Sequence, residues 1–153
     1  MCFLVPEQED ISLPERCRRV NDWCRRLGKD NVILVSTIHI NASDHGDRWM
    51  NARGWCAYTT RGNTRADRLA TGLYDAATRH LPGMRLRTDY TDGDPDLEKN
   101  FYILLHTAAP AVLSESLFMD NQADCDFLMT PEGQQSLVDL HVTGITAYLE
   151  AQR

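Results

Sequence analysis

The sequence predicts an α/β fold with a mainly parallel sheet and helices on both faces. Short runs of apolar and β-branched residues alternate along the chain with longer segments whose apolar residues recur every three or four positions. Such alternation is typical of folds in which helices connect parallel strands and cover the sheet. No repeat or low-complexity linker divides the 153 residues, so we expect one domain over residues 1–153.

Apolar runs bounded by turn residues indicate the strands. Such runs suit the enclosed surface of a sheet and are too short for a helix. The run that begins at Val32 has four consecutive apolar residues, and the run after Gly54 alternates between its two faces. The predicted strands are, in chain order, Cys2–Val5, Val32–His39, Gly54–Thr60, Arg85–Tyr90 and Pro110–Phe118.

Capping residues mark the ends of three predicted helices. A hydroxyl or carboxylate side chain at the first position accepts a hydrogen bond from the first free amides, and Gly or Pro ends the helix. We expect helices over Ser12–Gly28, with a capping box of Ser12 and Glu15, over Thr64–Pro82, with Thr64 and Asp67 at its start, and from Thr130 to about Ala151.

Composition excludes several classes of protein. A net charge of −6 opposes binding to nucleic acid, and no apolar run approaches the roughly 18 residues of a membrane span. The five cysteines form no C-x-x-C pair, which favours reduced thiols.

The motifs of phosphate loops, dinucleotide folds, serine hydrolases and H-E-x-x-H metalloproteases are absent from the sequence. No signal-peptide pattern opens the sequence, and we assign it no cellular location.

The stretch "DGDPDLE" raises the question of a calcium loop. Asp92, Asp94 and Asp96 are spaced like the first three ligands of such a loop. The glycine at the sixth position and the glutamate at the twelfth are both missing. We therefore expect an ordinary acidic surface loop.

Two predicted strands end in side chains of the types that bind metals or transfer protons. His39 follows one apolar strand and Glu115 follows another. In a parallel sheet both strand ends emerge at the same edge, where ligands bind in open α/β folds. A histidine and a glutamate that converge suit a metal hydrolase, because imidazole binds zinc and a carboxylate transfers protons. Two polar strand ends satisfied by local hydrogen bonds are the alternative.

Four stretches resemble a known family. "TIHINA", Thr37–Ala42, resembles the S-x-H-x-N-A motif, and "PAVLSESLFMDN", Pro110–Asn121, resembles the P-A-V-L-x-E-x-x-F-x-x-N motif of the zinc-dependent N-acetylmuramoyl-L-alanine amidases. "EDISLPERCRRVN" is similar to their D-x-x-L-x-x-R-x-x-x-A-N segment, and Gly144–Leu149 is similar to their closing G-I-x-x-Y-L helix. This family cuts the bond between muramic acid and the stem peptide of bacterial peptidoglycan.

The resemblance implies roles for three residues. It makes His39 a ligand of a zinc cofactor and Glu115 the catalytic carboxylate, with peptidoglycan as the substrate. It also implies that Asn41 orients the loop that holds His39 or contacts the substrate, and a structural role for Asn41 is an equal alternative. Thr37 stands where the family has serine, and it keeps the hydroxyl.

A second departure concerns the zinc ligands. In the family a G-H-G strand and a helix with a glutamate supply two further ligands, and neither is found in these 153 residues. Among the other histidines, His45 is the only plausible substitute because it lies in a loop near His39. Like His80, His106 and His141, it is more often explained as a surface or core side chain than as a ligand. We expect a truncated amidase domain that binds zinc weakly and has little activity. A non-catalytic module that binds or regulates peptidoglycan is the alternative, and a zinc hydrolase for a small amide is a weaker third.

Overall fold

The computed structural model describes residues 3–152, and for residues 34–38 it describes the backbone. Five helices and four strands are assigned in this part of the chain. The helices are α1 (Leu13–Leu27), α2 (Arg65–His80), α3 (Tyr102–His106), α4 (Gln122–Leu128) and α5 (Pro131–Glu150), and a 3-10 turn covers Lys29–Asn31. The strands are β1 (Leu34–Asn41), β2 (Cys56–Thr59), β3 (Leu97–Glu98) and β4 (Ala111–Phe118).

The predicted α/β fold is confirmed, and the sheet is mixed. Its strand order is β1-β4-β2-β3, with β1 parallel to β4, β2 antiparallel to β4 and β2 parallel to β3. The carboxyl ends of β1 and β4 therefore lie side by side. Because β2 runs the other way, it presents its first residue, Cys56, at the same edge.

Helices cover both faces of the sheet, as expected. On one face Val112 of β4 belongs to the main core with α2 and α5. On the other face Ala111 and Leu113 pack with Cys17 of α1 and with the apolar residues of α3. Alternation along the strand places Glu115 on the same face as Leu113.

A bulge ends this alternation just beyond Glu115. The register with β1 changes between the pairs His39–Glu115 and Asn41–Phe118, so β4 has one extra residue there. Leu117 has a φ of 69° and is fully buried in the same core cluster as Val112. The left-handed backbone therefore turns Leu117 away from the face that carries Glu115.

Helices α2 and α5 pack closely through two glycines. A Cβ on Gly144 would lie 2.8 Å from Leu73 Cδ2 and 2.9 Å from Leu73 Cα. A Cβ on Gly72 would lie 3.2 Å from the carbonyl oxygen of Gly144. The absence of side chains at both positions lets the two helices approach each other at this crossing.

The capping predictions agree with the structure at two helices of three. Thr64 and Asp67 form a capping box at α2, and the Thr130 hydroxyl accepts a hydrogen bond from Gly133 N at α5. The capping box predicted for Ser12 is wrong, since its side chain makes no capping hydrogen bond. Glu15 instead binds Arg18 and Arg19, because charge-assisted hydrogen bonds to guanidinium groups outcompete a bond to a backbone amide.

Two of the predicted strands are wrong within the described residues. Phe3–Val5 has no strand structure, and Cys2 lies outside the described residues. Arg85–Tyr90 forms only one bridge, between Leu86 and Trp55, before the backbone turns away. The elements that sequence analysis missed, β3, α3 and α4, are short, at two, five and seven residues. No helix in residues 3–152 is both long and apolar enough to cross a bilayer.

The expectation of an ordinary surface loop around Asp92–Asp96 is wrong at one residue. Asp96 is only 2% exposed, and its Oδ2 accepts a hydrogen bond of 2.6 Å from Thr59 Oγ1. Burial raises the pKa of the Asp96 carboxyl to about 7, and the neighbouring Asp94 adds to this while Thr59 opposes it. The loop therefore holds one buried acid that helps to attach it to β2.

Candidate active site at the edge of the sheet

His39 and Glu115 lie side by side on neighbouring parallel strands. Their Cα atoms are register partners, and His39 Nδ1 is 3.7 Å from Glu115 Oε1. The His39 side chain is 50% exposed, whereas that of Glu115 is 13% exposed. The arrangement agrees with the expectation that both strands end at one edge of the sheet. It combines an accessible imidazole with a shielded carboxylate.

Glu115 has an environment suited to proton transfer. Its Oε2 is buried and accepts no hydrogen bond from the described residues. Burial raises the pKa of the carboxyl above its ordinary value, while the nearby His39 imidazole and Arg87 guanidinium oppose this change. A raised pKa makes the carboxylate a stronger base than an ordinary glutamate, and a general base benefits from this change.

Cys56 and Arg87 lie on the other side of Glu115 from His39. Cys56 is the register partner of Glu115 on β2, and Arg87 Nη1 donates to Cys56 Sγ at 3.7 Å. The Arg87 guanidinium also lies 5.1 Å from the ring centroid of Phe118. Burial raises the pKa of the Cys56 thiol to about 11, which Arg87 opposes, so the thiol remains protonated at neutral pH. Sequence analysis missed Arg87 because it belongs to none of the recognised motifs.

Asn41 is held by local hydrogen bonds. Its Oδ1 accepts a hydrogen bond of 2.9 Å from Ala42 N, and its carbonyl oxygen accepts one of 2.9 Å from Met119 N. These bonds shape the turn that leaves β1 and attach it to the end of β4.

The loop after Asn41 is fixed to the turn after β4. Asp120 Oδ2 accepts hydrogen bonds from Ser43 N, Ser43 Oγ and Asp44 N at 2.7, 2.9 and 2.9 Å. At the far end of the loop, Met50 N donates to Asp120 O, and Asn121 Nδ2 donates to Met50 O. Burial raises the pKa of the Asp120 carboxyl, but the bonds from Ser43 and Asp44 outweigh it and hold the pKa below its ordinary value. Sequence analysis missed Asp120, although it lies inside the second motif.

The other histidines do not join His39. His45 is exposed in the loop, His80 Nε2 lies 3.1 Å from Thr143 Oγ1, and the ring of His106 contacts that of Tyr102. His141 is buried between Ser114 Oγ and the carbonyl of Leu137, and burial lowers its pKa. Within residues 3–152 no three histidine, cysteine or acidic side chains are grouped as metal ligands would be.

Comparison with known proteins identifies the class of this chain. The family model for N-acetylmuramoyl-L-alanine amidases matches residues 2–147, and the chain belongs to this family. The resemblance inferred from the motifs is confirmed at the level of the family, and with it the assignment to a class of enzymes by resemblance.

Solved amidase structures share the fold. The chain is similar to an N-acetylmuramoyl-L-alanine amidase of Clostridium difficile 630, with 22% identity and a TM-score of 0.72 over 94% of this chain and 68% of that one. It is also similar to the catalytic domain of CwlV from Bacillus (Paenibacillus) polymyxa var. colistinus, with 21% identity and a TM-score of 0.70 over 96% of this chain and 70% of that one. A third similar structure is the amidase AmiC2 of Nostoc punctiforme, with 21% identity and a TM-score of 0.68 over 92% of this chain and 67% of that one.

One curated protein matches over a shorter stretch. The uncharacterised protein YqiI of Bacillus subtilis (strain 168) is 38% identical over 53 residues. The match covers 35% of this chain and 26% of that protein.

Proposed function

We propose that the chain carries part of the active site of an amidase that hydrolyses the bond between N-acetylmuramic acid and L-alanine in peptidoglycan, with zinc as the cofactor. The observation that carries this proposal is the pairing of His39 with Glu115, whose Nδ1 and Oε1 atoms are 3.7 Å apart near the carboxyl ends of β1 and β4. In open α/β folds ligands bind at this edge of the sheet. Membership of the amidase family supports the choice of substrate.

Glu115 is the proposed general base and acid. In this reaction its carboxylate accepts a proton from the attacking water and then donates it to the departing nitrogen of L-alanine. The second transfer matters because an amine leaves poorly unless it is protonated. The Glu115 Oε2 atom is buried and accepts no hydrogen bond from the described residues, so no protein donor competes for the proton that it takes up.

His39 is the proposed zinc ligand. Its half-exposed imidazole beside a carboxylate is a donor set that zinc accepts. Bound zinc would polarise the scissile carbonyl and make its water more acidic. Catalytic zinc sites usually have three protein ligands. The described side chains fit one ligand and one base, so we expect the chain to bind zinc weakly.

Asn41 is proposed to orient the loop that follows His39. The hydrogen bond from Ala42 N to its Oδ1 supports this role. A contact between Asn41 and the substrate stays a prediction.

The test is hydrolysis of a soluble muramoyl peptide by the chain in excess zinc, measured as newly released amino groups of L-alanine. We expect slow release, and Glu115→Gln lowers the rate about a hundredfold or more because general acid–base catalysis is worth about 10²–10⁴. His39→Ala weakens zinc binding, measured by calorimetry.

Two exposed residues supply matched controls. Glu132→Gln and His106→Ala make the same chemical changes elsewhere on the surface and leave rate and zinc affinity unchanged. A full rate in Glu115→Gln, or full zinc affinity in His39→Ala, contradicts the assigned roles.

A non-catalytic module that binds or regulates peptidoglycan is the second candidate. The small number of metal-ligating side chains near Glu115 in the described structure favours it. Sedimentation of the chain with peptidoglycan, without any release of amino groups in excess zinc, selects this candidate over the amidase.

A further inference from the structure

We infer that Arg87 binds a carboxylate of the substrate's stem peptide and thereby selects substrates in which that group is charged. The inference rests on the proposed function, because it assigns the substrate to the site at Glu115. Three features of Arg87 carry it: a fixed backbone, a guanidinium with free donors, and a position beside Glu115.

The backbone of Arg87 is held on both sides. Arg87 N donates to Trp55 O at 2.9 Å, and Tyr74 Oη donates to Arg87 O at 2.6 Å. Trp55 is fully buried, and its ring meets that of Tyr74 edge to face at 4.9 Å. The base of the Arg87 side chain is therefore positioned by core residues and not by a mobile loop.

The guanidinium is held by weak partners. Arg87 Nη1 donates to Cys56 Sγ at 3.7 Å, and the group lies 5.1 Å from the centre of the Phe118 ring. Sulfur is a poor acceptor, and an aromatic face accepts none of the directed N–H bonds. These contacts fix the plane of the group while most of its five donors stay free.

Arg87 differs in this respect from the arginines of α1. Arg18 and Arg19 each bind two carboxylates on the protein surface. Arg87, which is half-buried, forms no ion pair with any carboxylate of residues 3–152. A partly desolvated guanidinium without a direct ion pair is costly unless a ligand supplies one, and the planar guanidinium matches the geometry of a carboxylate.

The position of Arg87 relates it to the reaction. Its partner Cys56 is the register neighbour of Glu115, and its other partner, Phe118, follows Glu115 on β4. His39 lies on β1, on one side of Glu115, and Arg87 contacts Cys56 of β2, on the other side. For a peptide whose amide bond lies at Glu115, we expect a carboxylate of the stem peptide to reach Arg87.

The decisive experiment compares two forms of muramoyl-alanyl-glutamate, with the carboxyl groups of the glutamate either free or amidated. We expect the wild type to have a lower KM for the free form. Arg87→Gln raises that KM about tenfold and leaves the KM of the amidated form unchanged. Arg87→Lys keeps the positive charge but loses the planar guanidinium, so we expect its KM for the free form to lie between those of the wild type and Arg87→Gln. Arg85→Gln, an exposed arginine two residues away, is the matched control.

A second measurement does not depend on turnover. The Arg87 Nε–H signal, assigned by its loss in Arg87→Lys, is followed by NMR while N-acetyl-alanyl-glutamate, or the same dipeptide with both carboxyl groups amidated, is added. We expect a shift with the free acid alone. A shift without hydrolysis supports the carboxylate site although the amidase proposal fails. Hydrolysis with equal KM for both dipeptides and no shift of the signal overturns the site and leaves the amidase proposal standing.

Discussion

Asp120 Oδ2 accepts hydrogen bonds from both the amide and the hydroxyl of Ser43, 77 residues earlier in the chain. Asp44 N donates to the same oxygen. The loop after β1 is therefore fastened to the turn after β4. Because His39 and Glu115 belong to these two strands, the same carboxylate helps to hold their relative positions.

Replacing Asp120 should release this loop. Asp120→Ala leaves three donors without their acceptor, and the lost bonds to a charged group make the amide hydrogens of Ser43 and Asp44 exchange about tenfold faster or more. Asp120→Asn keeps one oxygen as acceptor and should have a smaller effect. The measurement is hydrogen exchange of the native protein at neutral pH.

Acid should have the same effect as the substitution. The folded pKa of Asp120 is lower than its ordinary value, so its stabilisation is present above the unfolded pKa and is lost as pH falls through the folded pKa. Asp47→Ala, in the same loop and exposed, serves as the control. Equal exchange at Ser43 in Asp120→Ala and Asp47→Ala would show that the carboxylate does not hold the loop.

Asp96 should make the protein less stable as pH rises. Its folded pKa of about 7 exceeds the ordinary value, so the folded state favours the protonated acid. Stability from this group is fully present below the unfolded pKa and is lost as pH rises through about 7. We expect the melting temperature to fall between pH 5 and pH 8, and to fall less in Asp96→Asn.

The neighbouring Asp92 provides the comparison for this measurement. Asp92→Asn, an exposed change in the same loop, should keep the pH dependence of the wild type. If both variants lose stability with pH to the same extent as the wild type, Asp96 does not titrate in the way that its burial indicates.

Alanine should destabilise the protein more at Gly144 than at Gly72, although both glycines lie where α2 and α5 cross. Gly144→Ala puts a Cβ 2.9 Å from Leu73 Cα, and such overpacking lowers the free energy of unfolding by about 1–3 kcal/mol. Alanine is more favourable than glycine in a helix by roughly 1 kcal/mol, so we expect a net loss of stability. Gly72→Ala meets its nearest atom at 3.2 Å, so we expect it to be close to neutral. Urea unfolding of both variants measures their free energies of unfolding, and we expect the lower value for Gly144→Ala. A Gly144→Ala variant as stable as Gly72→Ala contradicts this expectation.

Local signals in the sequence predicted the parts of the fold that depend on local physics. Thr64 with Asp67 and Thr130 with Gly133 cap their helices because a side-chain oxygen lies within reach of a free amide a few residues on. At Ser12 the pattern was wrong, because its side chain makes no capping hydrogen bond and the Glu15 carboxylate binds Arg18 and Arg19. Competition between partners is not visible in a capping pattern.

The candidate site was predictable only in its motif residues. Strand ends and the two motifs located His39 and Glu115, and the register of β1 with β4 brings them together. Arg87 and Asp120 reach the site through tertiary contacts, to Cys56 and Ser43, that no spacing along the chain indicates. The antiparallel direction of β2, which makes Cys56 a neighbour of Glu115, likewise depends on the path of the whole chain.

The parallel pairing of β1 with β4 also has a kinetic consequence. Parallel strands cannot be joined by a hairpin, and here β2, α2, β3 and α3 all lie between the two partners in the chain. Contacts between segments so distant form only after a large loss of chain entropy, and they slow folding. The contact between His39 and Glu115 should therefore be absent from early folding intermediates and should appear only when the long intervening segment has folded.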